Sequence, residues 1–117
     1  MKLGKEIFEA VLCLTPESAV RQRLLLASQI PPEVPAAEAA KALGNGSLVT
    51  APDTVPFCLW VATRHSDNFV RAIGEAIAVG GDCDTNAAIV GGIVALSAGR
   101  PSLPPHWLSA RESVGSL

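Results

Sequence analysis

Gly80-Gly81-Asp82-Cys83-Asp84-Thr85-Asn86-Ala87-Ala88-Ile89-Val90-Gly91-Gly92-Ile93-Val94-Ala95-Leu96 runs from a glycine pair, through two aspartates, into ten apolar residues. The glycines permit a sharp turn with positive φ. The run behind them reads as a helix from about Asp84 to Ala98, ended by Gly99 and Pro101. At about half the ~20 residues a membrane helix needs, it reads as a core element. Gly91 and Gly92 each cost such a helix ~1 kcal/mol relative to Ala. They predict that a neighbouring helix backbone comes close, and that this helix is central in a bundle.

Working outward, the periodicity is helical almost throughout, and Ser47–Val49 is too short to count as a strand. The spacing predicts a helix over Lys5–Leu14 with Ile7, Val11 and Leu14 on one face. A second begins at Thr15-Pro16-Glu17, with Thr as cap and Pro in the first turn, and runs to Gln29 with Val20, Leu24 and Leu25 inward. Pro31, Pro32 and Pro35 break it. A third spans Ala36–Leu43 and stops at Gly44, and Gly44-Asn45-Gly46 makes a tight turn. A fourth starts at Asp53 or Thr54, with Pro56 in its first turn, and ends near Arg64-His65. A fifth is capped by Ser66 and passes through Phe69, Ile73 and Ile77. The Pro- and Ser-rich tail reads as loosely ordered, with 109–117 a flexible end. The expectation is a single all-α domain over 1–117, a compact helical bundle.

The chain has 117 residues, 9 basic and 11 acidic, and 49% are hydrophobic. That balance argues against nucleic-acid binding, which needs clustered Lys and Arg. Cys13, Cys58 and Cys83 are odd in number and show no CxxC spacing, so free thiols in a cytoplasmic setting are expected. No signal peptide or membrane span is visible.

Two of the four Asp residues, Asp82 and Asp84, share one apolar window, and between Arg71 and Arg100 there is no Lys or Arg. Neighbouring carboxylates repel when both ionise. The helix dipole relieves only ~0.3–1 kcal/mol per charge at exposed sites. Two carboxylates and the Thr85 hydroxyl suit a hard cation such as Mg²⁺. The alternative is that both acids cap the helix and meet a distant Arg. An EF-hand is excluded, because Ala87 stands where Gly is needed and Ile93 where the bidentate Glu belongs. Other residues read structurally: His65 as a cation at a helix C-terminus, His106 as surface or packing, Phe57 and Trp60 as core, and Glu75 as a solvated face. Cys83, between two acids, is a poor nucleophile.

The box Gly80-Gly81-Asp82-Cys83-Asp84-Thr85, followed by its small-residue helix, resembles the C-terminal metal motif (GGDxDT) of the ADP-ribosylglycohydrolases. Leu43-Gly44-Asn45-Gly46, Asp53-Thr54-Val55-Pro56, Arg64-His65-Ser66-Asp67-Asn68-Phe69 and Leu103-Pro104-Pro105-His106-Trp107-Leu108 follow the family's order over about Thr15 to Leu108. The resemblance implies an orthogonal all-α fold and two Mg²⁺ ions. The implied activity is hydrolysis of the glycosidic bond between ADP-ribose and a protein side chain or related acceptor. It makes Asp82, Asp84 and Thr85 metal ligands and Gly80 and Gly81 candidate substrate-binding residues; it assigns no catalytic residue. Family members are far longer and carry a second box, typically Thr-Asp-Asp plus an early acid, whereas Asp53 and Asp67 stand isolated here. The chain looks like the C-terminal part of the enzyme, at most a half-site, acting with a complementing chain. The alternative is a non-catalytic helical domain. Apolar faces left uncovered predict a homo-oligomer with the Ala/Gly helix near the interface.

Overall fold

The computed structural model describes residues 2–48, 50–98 and Pro105. The described residues form six helices and no strand, as the periodicity implies: α1 Lys2–Leu14, α2 Ala19–Gln29, α3 Ala36–Leu43, α4 Ala51–Arg64, α5 Phe69–Ala78 and α6 Cys83–Ala98. The expectations for Gly99, Pro101, His106 and the tail beyond fall outside the described residues.

The hub is α4, not α6. Residues Pro56 to Thr63 of α4 are all buried, and α4 touches each of the other five helices. Phe57 and Trp60 stack at 6.4 Å inside it, so both are core, as expected. The glycines of α6 misled because a Cβ on Gly91 would meet the side chains of Ile73 and Phe69, not a backbone, and one on Gly92 would meet nothing within 4 Å. α6 instead lies against α5 and one side of α4, leaving Leu96 90% exposed.

Several helix ends shift for identifiable reasons. Thr15 does not cap α2; its Oγ1 donates back to the Val11 carbonyl at 2.6 Å and closes α1. Ser18 takes the cap, its side chain accepting from Arg21 N–H. α2 turns Leu24 inward and keeps Val20 half-buried, but Leu25 is exposed. α4 begins after Thr50, which places Pro56 inside the helix rather than in its first turn. Its missing N–H leaves one helical carbonyl without its usual donor. Asn68, not Ser66, caps α5 by accepting from Arg71 N–H at 3.1 Å; Ser66 is buried.

Long side chains close other open backbone groups. Arg21 donates to Leu12 and Thr15 carbonyls, Arg23 to the Leu43 carbonyl at 3.0 Å, Arg64 to Val34 at 2.7 Å, and the Trp60 indole to Ile30 at 3.1 Å. Arg21 at the end of α1 and Arg23 at the end of α3 also meet the negative end of the dipole. Glu75 is not a solvated side chain. It sits 20% exposed between His65, at 2.8 Å, and Arg64, at 3.5 Å, and so ties α5 to the end of α4. His65, at the end of α4, is thus held by a carboxylate.

Candidate functional site

The turn from α5 to α6 begins where Gly80 N–H bonds the Ile77 carbonyl at 3.1 Å. Gly80 and Gly81 both take positive φ, +74° and +69°, which an L side chain adopts only at a cost of ~1–2 kcal/mol. The chain then enters α6 with Asp82 as its capping residue. Asp82 Oδ1 accepts from Thr85 N–H at 3.4 Å, and its carbonyl accepts from Asn86 N–H at 2.9 Å. Asp82 is half-buried, whereas Asp84 and Thr85 are exposed.

Half of the capping alternative therefore holds: Asp82 does cap. For its other half, no Lys, Arg or His among the described residues pairs with Asp82 or Asp84, and Arg100 and Arg111 lie outside those residues. Two carboxylates one residue apart stand at a helix N-terminus with the dipole as their compensation. Among the described residues, no group of three or more His, Cys, Asp and Glu is placed to hold a metal ion. Asp53 does not join the pair. It lies buried at the start of α4, where its Oδ2 accepts from Leu48 N–H at 2.9 Å and its carbonyl from Gly46 N–H at 3.2 Å. Asp67 is exposed on the α4–α5 connection. Cys83, between the acids, donates to the Ile77 carbonyl at 3.5 Å, on the far side of the glycine pair.

The acidic turn rests on the turn after α3. Asn45 Nδ2 reaches the Val79 carbonyl at 3.5 Å, and Asn45 Oδ1 accepts from Ser47 N–H at 3.1 Å. The fit at Gly81 is tight: a Cβ there would lie 2.2 Å from the Asn45 carbonyl oxygen. A Cβ on Gly46 would lie 2.9 Å from Asn86 Oδ1 and 3.2 Å from Asp82 Cβ. Gly80, by contrast, faces open space.

Below the aspartates, Asn86 is fully buried. Its Nδ2 donates to the Asn45 carbonyl at 2.7 Å, and its Oδ1 accepts from Cys58 Sγ–H at 3.5 Å. Burial pushes the Cys58 thiol from 9.0 up to about 12, and the negative charge of Asp82 adds to the rise. Cys58 is therefore a protonated donor at neutral pH. The sequence reading found the aspartates and the turn glycines but not this support, because Asn86 lies 28 residues from Cys58 and 41 from Asn45.

A small cavity of about 290 Å³ opens beside the site, lined by Ala37, Ala40, Lys41, Asn45, Ala78 and Val79. Among the described residues, no helix is long and apolar enough to cross a membrane. The ADP-ribosylglycohydrolase family model matches residues 3–116. No curated protein and no solved structure matches the chain.

Proposed function

Because the chain belongs to the ADP-ribosylglycohydrolase family, we propose that it is a Mg²⁺-dependent module for hydrolysing glycosidic bonds of ADP-ribose, with Asp82, Asp84 and Thr85 as its metal ligands. The observation that carries this reading is the pair of carboxylates on one helix turn, uncompensated by any cation among the described residues. The donor set fits the ion in kind. Mg²⁺ takes oxygen ligands, keeps several waters and is commonly held by only one or two carboxylates. When bound, it would orient ribose hydroxyls and lower the pKa of a water for attack at the anomeric carbon.

The chain's own residues supply orientation. The Thr85 N–H holds Asp82 Oδ1, and the exposed Asp84 and Thr85 present further oxygens on the same turn. Gly80 and Gly81 flank them as substrate-binding candidates, and Gly80 has the open approach. A binuclear centre needs about twice these ligands. The sequence holds no Thr-Asp-Asp run, and Asp53 is committed to the turn before α4. The remaining donors therefore lie outside these 117 residues, and the substrate is an ADP-ribosylated protein or related small molecule. A cytoplasmic setting suits three free cysteines.

Leu14, Leu48 and Leu96, each more than 70% exposed, favour a second reading: a non-catalytic helical domain that self-associates or binds protein. Release of ADP-ribose from a modified protein, with Mg²⁺ and with EDTA, separates the two. Release that EDTA and Asp84→Asn both abolish supports the hydrolase. Mg²⁺ binding without release supports the half-site. Neither binding nor release leaves the second reading.

A further inference from the structure

Resting on that reading, we propose that Asn86 is the positioning residue of the site: it locks the rotation of α6 about its axis and so sets where Asp82, Asp84 and Thr85 point. A buried carboxamide left unpaired costs ~1–3 kcal/mol, so an Asn in a helix core is retained only where both ends are used. Here both are. The amide end holds the turn after α3 and the carbonyl end holds α4, while the Asn86 backbone N–H bonds Asp82 one turn earlier. One side chain thus joins three segments directly beneath the aspartates.

Val90 and Val94, one and two turns on from Asn86, are buried on the same side of α6, but the helix is apolar on most of its surface, so burial alone selects a rotation about the axis less sharply than a directional polar contact does. A rotation of about 20° moves a side-chain atom near the helix surface by roughly 2 Å, well beyond the ~0.5 Å within which a ligand set must be held. Gly46 completes the fit, because any side chain there would strike Asn86 Oδ1.

The test compares wild type, Asn86→Ala and Cys58→Ala by amide hydrogen exchange without metal, followed by Mg²⁺ titration monitored by NMR. Positioning predicts a local effect. In Asn86→Ala the amides of Thr85 and Gly46 exchange about tenfold faster or more, while those of Leu24 and Ala27 in α2 change much less. Mg²⁺ binding at Asp82 and Asp84 weakens by about fivefold or more in the folded protein. Cys58→Ala, which removes only the thiol donor, shows the same pattern at about threefold and decides the matter if Asn86→Ala does not fold. A uniform acceleration of all protected amides would mean that Asn86 merely stabilises the fold and would overturn the proposal. If wild type shows no Mg²⁺ response at all, the hydrolase reading falls, while the exchange pattern still decides whether Asn86 orders the turn.

Discussion

Replacing Gly81 by Ala, with Gly80→Ala as its control, isolates the contact on which the geometry of the site depends. The two positions share nearly the same backbone, with φ of +69° and +74°. Both substitutions therefore bear the left-handed penalty of ~1–2 kcal/mol, offset by ~0.4–1 kcal/mol from a less flexible unfolded chain. At Gly80 nothing lies within 4 Å of the new methyl group, so the expected cost is about 1 kcal/mol. At Gly81 the methyl carbon would sit 2.2 Å from the Asn45 carbonyl oxygen and 2.6 Å from Asn45 Cγ. Ordinary heavy-atom contacts begin near ~3.5 Å. The two turns must therefore separate by more than an ångström, which breaks the Asn86–Asn45 hydrogen bond and leaves a buried donor unpaired at ~1–3 kcal/mol. The Gly81 variant should lose about 2–4 kcal/mol in all. Urea unfolding followed by circular dichroism measures both. Equal costs at the two positions would mean that the turns are not pressed together, and the supporting role of Asn45 and Asn86 would fall with them.

Other contacts carry their own expected outcomes. Of the three thiols, exposed Cys13 should react fastest with a thiol reagent, half-buried Cys83 more slowly, and buried Cys58 only as the protein opens. The Cys58 thiol has its pKa raised to about 12, so above pH 9 the unfolded chain gives up this proton while the native state keeps it. Stability then falls as pH rises, by about 1 kcal/mol between pH 8.5 and 10; Cys58→Ser should remove that part of the slope in urea titrations, and an unchanged slope would refute it. Glu75→Gln should cost about 1–3 kcal/mol in thermal or urea unfolding, below the ~3–5 of a fully buried pair, because its carboxylate bridges His65 and Arg64 with little exposure; a neutral result would make the cluster a surface feature. Gly92→Ala should stabilise α6 by up to ~1 kcal/mol, since its methyl group meets open space; destabilisation would show a packed neighbour.

What the sequence disclosed and what it hid divide along the reach of each interaction. Local signals carried far: Gly44 ends α3, the glycine pair separates α5 from α6, and the aspartates open α6 as their spacing implies. Where two local bonds competed, spacing did not decide between them. Thr15 could cap α2 or bond back into α1, and it bonds Val11. Pro56 looked like a first-turn residue, but the tertiary contacts of α4 tolerate it inside the helix. Long-range pairings left no trace in spacing. Glu75 finds Arg64 and His65 only once α5 folds back on α4, and Asn86 finds Asn45 only across the two helices between them, α4 and α5. The acidic turn was legible because its residues are contiguous; the support beneath it was not.

The central claim, that Asp82 and Asp84 hold a divalent cation, is tested most directly by calorimetric titration of the chain with Mg²⁺, comparing wild type, Asp82→Asn and Asp84→Asn. Asn caps helices as well as Asp does, so Asp82→Asn keeps the bond from Thr85 N–H and removes only the charge. Saturable binding by wild type, weakened about tenfold or more in each variant whose melting temperature is little changed, is the expected result. Binding that is unchanged in both variants, or absent from wild type, would contradict it.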